Sequence, residues 1–296
     1  MTSIPFTAGP SRYLVPFDGS FRIAGSQTMA DAGECANAPA RLSAAHEHLD
    51  KLQRMLMAGD NHSVLLVFQA MDAAGKDSTI RAVMQGINPA GCQVFSFKRP
   101  SAEELDHDFL WRTSTRLPER GRIGIFNRSH YEEVLVVRVH PELLASRNIP
   151  GAADTDEFWN ARLQSIRDQE QHLARSGTII LKFWLNVSPE KQRRRFLSRL
   201  DNPDKHWKFS AADVAERRYW PQYMAAYENA LNATSRPWAP WYAIPADDKA
   251  TMRAIVAELL VDALSSVGLR YPEPTADEKS VFDEMRKQLQ DDATRD

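Results

Sequence analysis

Asp72 and Lys76 are the residues whose types and spacing point most directly to chemistry. They sit in Val64-Leu-Leu-Val-Phe-Gln-Ala-Met-Asp-Ala-Ala-Gly-Lys-Asp-Ser-Thr79, where an apolar run breaks into small residues, reaches Gly75-Lys76 and takes up helical spacing. A strand, a tight turn and a helix in that order aim free backbone N–H groups and the positive end of a helix at one point. A lysine at the lip of such a cradle suits a phosphoryl group. The residues expected to line the cradle are Ala73, Ala74, Gly75, Lys76, Asp77 and Ser78. The strict pattern G-x-x-x-x-G-K-[ST] is met only in its middle, because Ala70 stands at the first glycine and Asp77 at the hydroxyl position. A carboxylate here repels phosphate unless a cation lies between them. Asp72 therefore reads as a ligand of Mg²⁺, which prefers carboxylate, water and phosphate oxygens, in place of the missing hydroxyl. A solvated turn aspartate is the plain alternative.

A second element follows in Gly124-Ile-Phe-Asn-Arg-Ser-His-Tyr-Glu-Glu133. In open α/β sheets ligands bind beyond the carboxyl ends of the strands, so Asn127 and Arg128 are expected at the same crevice. Arg128 can fork onto a phosphate, or make a surface ion pair. Asn127 stands where an acidic residue would complete the usual metal site. Glu132 and Glu133 open the next helix, where carboxylates are favoured in any case.

The third element is basic. Lys182, Lys191, Arg193, Arg194, Arg195, Arg199, Lys205 and Lys208 face only Glu190, Asp201 and Asp204, a local excess of five in a chain of net charge −2. Arg195 and Arg199 lie four apart on one face of the helix expected after Ser188. Such a helix over a phosphate crevice acts as a lid that supplies cations and excludes water. Arg194 and Lys208 are expected to add to phosphate binding, as is Lys98 at the end of the second strand. A solvated basic face is the alternative. The late aromatics Trp207, Trp220, Tyr223, Tyr227, Trp238, Trp241 and Tyr242 are expected to pack lid helices on the sheet.

These residues need a frame. Strand-like runs fall at Val64–Gln69, Gln93–Phe97, Arg122–Asn127, Thr178–Val187 and Trp241–Ile244, separated by segments long enough for crossover helices. That alternation predicts a parallel sheet covered on both faces. Helix starts are signalled by the capping box Ser101-Ala-Glu-Glu104, by Ser188-Pro-Glu and by Ser210-Ala-Ala-Asp213. Apolar spacing predicts a helix from about Pro39 to Met57. Residues 1–36, rich in Pro and Gly, read as an extended arm on the domain or on a neighbour, and 37–270 as the main domain with a lid at about 188–220. Residues 271–296 read as a helical tail with Val281, Phe282, Met285 and Leu289 on one face.

With 296 residues, 43% of them hydrophobic, the chain can bury a large core. The net charge argues against a globally basic nucleic-acid binder. Cys35 and Cys92 are the only cysteines and lack metal-ligand spacing, consistent with a reduced compartment. No signal peptide and no apolar run near the ~20 residues of a membrane span is evident, so a cytoplasmic protein without membrane or nucleic-acid partners is expected.

Several of these segments together carry a resemblance. Ala70-Met-Asp-Ala-Ala-Gly-Lys-Asp77, Asn88-Pro89, Phe97-Lys98, Glu104-Leu-Asp-His-Asp-Phe-Leu-Trp111, Leu117-Pro-Glu-Arg-Gly-Arg-Ile-Gly-Ile-Phe-Asn-Arg-Ser-His-Tyr131 and Trp238-Ala-Pro-Trp-Tyr-Ala-Ile-Pro-Ala-Asp247 resemble the family-2 polyphosphate kinases. The likeness runs from about Val64 to Leu264, and Phe-Asn-Arg-Ser-His-Tyr looks like the branch accepting both nucleoside mono- and diphosphates. It implies a P-loop kinase-type three-layer α/β/α fold, with a five-stranded parallel sheet and a helical lid. It also implies Mg²⁺- or Mn²⁺-dependent, reversible phosphoryl transfer from inorganic polyphosphate to AMP or ADP, with GMP and GDP left open, by a homo-oligomer (dimer or tetramer). Carried over by position, Asp72 would bind metal or orient the acceptor phosphate, Lys76 would bind phosphate, and Arg128 would clamp the acceptor's phosphate. Arg195 or Arg199 would meet the transferred group, and Asn127 and Glu133 would lie near the nucleotide. Ala70 departs from the family's usual glycine, and alanine disfavours positive φ. Two other readings use the same loop: an ATP-dependent nucleotide kinase, and a non-catalytic nucleotide switch or polyanion-binding module. No Asn-Lys-x-Asp motif supports a GTPase switch.

Overall fold

Five apolar runs become the strands of one sheet in a computed structural model that describes residues 4–145, 147 and 149–292. They are β1 (Ser63–Gln69), β2 (Cys92–Ser96), β3 (Ile123–Asn127), β4 (Thr178–Asn186) and β5 (Trp241–Pro245), in the order β2-β3-β1-β4-β5. Every pairing is parallel, so all carboxyl ends leave at one edge. Phe68 pairs with both Asn127 and Phe183, so β1 and β3 end within one residue of each other while β4 runs on to Asn186. Each residue of β1, β3, β4 and β5 is buried, as a sheet covered on both faces requires.

The longer helices are α1 (Ala38–Gly59), α2 (Lys76–Val83), α3 (Asp156–Arg175), α4 (Pro189–Leu200), α5 (Trp220–Thr234), α6 (Lys249–Ser266) and α7 (Ala276–Asp292). α6 is apolar nearly all round, so it sinks between neighbours and packs on α1, α2 and β5. α5 packs on α3, which packs on β4. Ser101 and Glu104 exchange side-chain and backbone bonds, and Ser188 Oγ accepts from Lys191 N ahead of Pro189, whereas Ser210 precedes its short helix without a side-chain cap bond.

The N-terminal segment lies on its own domain along the free edge of β5. Val15 N donates to Trp241 O and Ala243 N to Tyr13 O, and Phe6 and Val15 are buried. An edge strand covered this way cannot recruit another chain. Residues 188–220 form α4 and then short helical turns between β4 and α5. Of the late aromatics, Tyr223, Tyr227, Trp241 and Tyr242 are buried, but Trp207 does not pack on the sheet: it is 77% exposed, on a short 3-10 helix, Pro203–Lys208. α7 is exposed throughout its described side chains. Residues 1–3 of the arm and 293–296 of the tail lie outside the described residues. Among those described, no helix is long and apolar enough to cross a membrane.

Candidate active site

The turn between β1 and α2 owes its shape to two left-handed residues, Ala73 (φ 60°) and Gly75 (φ 113°). Glycine adopts that region without a Cβ penalty, whereas Ala73 is strained. Ala70, the replacement for the usual first glycine, is not left-handed, so the strain expected there falls at Ala73 instead. Lys76 curls back so that Nζ donates to Ala70 O at 2.8 Å. Ser78 Oγ and Thr79 Oγ1 both donate to Gly75 O, at 2.9 and 3.0 Å, fixing the first turn of α2.

The carbonyls of the loop are held from behind by α4. Arg195 Nη1 donates to Ala73 O at 3.1 Å and to Ala74 O at 2.6 Å, Arg195 Nη2 to Ala246 O at 2.7 Å, and Gln192 Nε2 to Asp72 O at 2.9 Å. Because the peptide unit is planar and trans, each carbonyl held on one side turns the following N–H to the other. Arg195 thus stands behind the cradle, with its guanidinium engaged on backbone carbonyls.

Across the crevice, Arg128 follows β3 and is also left-handed (φ 64°). Its N–H donates to Phe68 O at 3.0 Å, locking it to the end of β1, and Nη2 donates to Asp72 Oδ1 at 2.7 Å. Glu132 Oε2 lies 3.8 Å from Arg128 Nη1. Glu132 is the largest influence raising the Arg128 pKa above its ordinary range, while burial lowers that of Lys76 and raises that of Glu132. Lys76, Asp72, Arg128 and Glu132 therefore make one compact set of opposed charges at the carboxyl edge of the sheet. Asp213, at the start of the short helix after the lid turn, feels Asp72, Arg199, Arg128 and Lys76, with burial raising its pKa.

The other expected site residues are spread out. Asn127 Nδ2 donates to Asp77 Oδ1, tying β3 to the start of α2. Glu133 is buried between Arg147, at 2.7 Å, and Arg162, at 3.0 Å, so Glu132 rather than Glu133 reaches Arg128. Arg199 Nη1 donates to Lys208 O at 3.1 Å and lies 3.8 Å from Asp213. Arg194 and Arg193 both pair with Glu190 on the exposed face of α4. Lys208 sits 4.6 Å from the ring of Trp207, and Lys98 is exposed at the end of β2. Lys182 leaves the cationic run altogether: it is fully buried in β4, 2.6 Å from Glu170.

Sequence reasoning missed Gln192, Glu132 as the partner of Arg128, and the Arg147–Glu133–Arg162 cluster. Gln192 is three residues before Arg195, on the same helical face, and that spacing was available. The cluster borders a pocket of about 300 Å³ lined by residues that include His107, Phe109, Phe158 and Arg162. Among the described residues no three His, Cys, Asp or Glu side chains converge on a metal-sized point. Asp72, partly exposed beside Lys76 and Arg128, fits Mg²⁺ in its usual manner, which is one or two carboxylates completed by water and substrate phosphate.

A parallel α/β sheet with a phosphate loop after its central strand, and cations from the next strand facing it, defines a P-loop kinase-type protein. A family model described as polyphosphate kinase 2 (PPK2) matches residues 34–270. An ADP-polyphosphate phosphotransferase from Rhodopseudomonas palustris is 57% identical over 244 residues, covering 82% of this chain and 84% of that one. An AMP/ADP-polyphosphate phosphotransferase from Meiothermus ruber is 44% identical over 276 residues, covering 92% and 99%. The crystal structure of polyphosphate kinase 2 from Arthrobacter aurescens TC1 superposes with a TM-score of 0.83 at 37% identity, covering 94% of this chain and 98% of that one. The chain belongs to the polyphosphate kinase 2 family.

Proposed function

We propose that this chain moves the terminal phosphoryl group of inorganic polyphosphate to AMP and ADP, reversibly, with Mg²⁺ or Mn²⁺. The observation that carries the reading is the contact between Arg128 Nη2 and Asp72 Oδ1 at 2.7 Å, with Lys76 on the same loop. It sets a forked cation for one phosphate against a loop and lysine built for another. Phosphoryl transfer asks little covalent chemistry of the protein, so positioning and charge neutralisation supply most of the catalysis. Lys76 and the loop N–H groups hold the donor's terminal phosphoryl group, and Arg128 orients the acceptor's phosphate oxygen toward its phosphorus. The bond to the rest of the polyphosphate then breaks, leaving that chain one unit shorter. A divalent ion at Asp72, when bound, neutralises phosphate charge. The pocket beside Glu133, with Phe109 and Phe158 in its wall, is assigned to the acceptor's base.

The relatives named above include an ADP-polyphosphate and an AMP/ADP-polyphosphate phosphotransferase, which makes the use of AMP the point to test. A GDP-polyphosphate phosphotransferase from Pseudomonas aeruginosa, 34% identical over 190 residues, keeps guanine nucleotides in view as acceptors. A cytoplasmic homo-oligomer, dimer or tetramer, is part of the same proposal. The test is incubation of the purified protein with AMP, Mg²⁺ and long-chain polyphosphate in the absence of ATP, followed by chromatography. ADP and ATP should both appear. Conversion of ADP but not AMP would restrict the acceptor, and transfer only from ATP would transfer the protein to the ordinary nucleotide kinases.

A further inference from the structure

One buried network lies outside the phosphate cluster and is not used by it. Lys182 Nζ donates to Glu170 Oε2 at 2.6 Å, to Thr234 O at 2.8 Å and to Tyr131 Oη at 3.0 Å, and Tyr131 Oη donates to Glu170 Oε1 at 2.8 Å. Trp241 Nε1 donates to Thr234 Oγ1 at 2.8 Å. All five residues are buried, with Lys182 and Thr234 at 0% exposure. The three N–H bonds of Lys182 are all used, so the network is closed.

A closed buried ion pair is a poor stabilising device. Removing two charges from water costs about as much as their attraction returns, and well-packed apolar residues often do as well or better. Its use must be sought in what it holds. It joins β4, α3, α5 and β5, and it reaches toward the crevice through Tyr131, in the turn His130–Glu133. That turn lies between Arg128 and the helix beyond, and it carries Glu132. Arg128 is left-handed, a strained state for a non-glycine residue that persists only where its surroundings enforce it. On its amino side Arg128 is fixed by Phe68 O. On its carboxyl side Ser129 Oγ accepts from Tyr131 N, and the Tyr131 ring meets Trp241 edge-on at 4.8 Å.

We propose that Lys182 and Glu170 are positioning residues for phosphoryl transfer: through the Tyr131 hydroxyl they clamp the turn that holds Glu132 against Arg128 and so aims Arg128 at the acceptor's phosphate. This rests on the function proposed above. Tyr131→Phe removes only the hydroxyl and leaves Lys182 and Glu170 paired. The expected result is a melting temperature within a few degrees of the parent, turnover about 10-fold lower, ADP bound about 10-fold more weakly by calorimetry, and KM for polyphosphate within about 2-fold. In an Arg128→Ala background, the same substitution should not weaken ADP binding further, because the residue it acts through is gone. The double variant Lys182→Met with Glu170→Leu removes both charges together and should keep the fold while reproducing the turnover and ADP defects. Full turnover and ADP affinity in Tyr131→Phe would overturn the proposal, as would ADP effects that multiply in full with Arg128→Ala. An absence of polyphosphate-dependent transfer in the parent protein would instead remove the function itself, so the two failures are distinguishable.

Discussion

Arg195 of α4 donates to Ala74 of the phosphate loop across 2.6 Å, so this helix holds the loop's carbonyls from one side. The same guanidinium reaches Ala246 O after β5, binding three segments through one side chain. Arg195→Ala should therefore lose both loop geometry and packing. We expect kcat/KM for polyphosphate to fall about 100-fold, since ~1.4 kcal/mol is tenfold in rate and several charged hydrogen bonds are removed. Arg199→Ala, whose partners are Lys208 O at 3.1 Å and Asp213 at 3.8 Å, should cost less than about 10-fold. Steady-state kinetics of the two variants side by side checks the ranking, and equal losses would contradict it.

Lys76→Ala should abolish turnover, by about 10³-fold or more, while leaving the protein folded. Burial already disfavours its ammonium group, so removing it need not reduce stability. A melting curve beside an activity assay separates loss of chemistry from loss of fold. Retained transfer would leave polyanion binding as the better account of the loop.

Gly75→Ala places a Cβ at φ 113° and 3.3 Å from Met252 Cε. Methionine is flexible enough to give way, so the penalty is mainly backbone strain, about 1–2 kcal/mol. The loop should rebuild to relieve it, raising KM for polyphosphate more than it lowers stability. Chemical denaturation and kinetics on the same preparation measure both effects.

His130 is buried with neither ring nitrogen hydrogen-bonded, and burial together with the charge of Lys182 lowers its pKa from 6.5 to about 3. Between those values the unfolded chain binds a proton that the folded chain refuses, so stability falls as pH drops from 6.5 toward 3 and is insensitive to this group above 6.5. One proton corresponds to about 1.4 kcal/mol per pH unit. His130→Phe should flatten the acid limb by up to that slope relative to the parent. Urea midpoints at pH 7, 5.5 and 4.5 check it; parallel curves would mean His130 protonates in the folded state.

The strands were legible because each is a short apolar run bounded by turn residues. The observed limits of β1 and β4 differ from expectation by one residue at one end. The helix after Ser188 was legible because its cap and its proline are adjacent in sequence. The charged residues were harder. Glu132 and Glu133 are neighbours of one type, and a one-turn 3-10 helix sends the first to Arg128 and the second to Arg147 and Arg162. Lys182 looked like part of a basic track, yet a strand covered on both faces and a glutamate on α3 make it core.

What the sequence alone determined is therefore local: the strand–turn–helix with its lysine and aspartate, the parallel α/β class, and the family, all carried by residues near one another along the chain. The tertiary structure decided which charges face the crevice and which are neutralised elsewhere, because an ion pair depends on distance in space. Asp72 meets Arg128 from 56 positions away and Arg195 meets Ala74 from 121, separations over which no periodicity in the chain carries information.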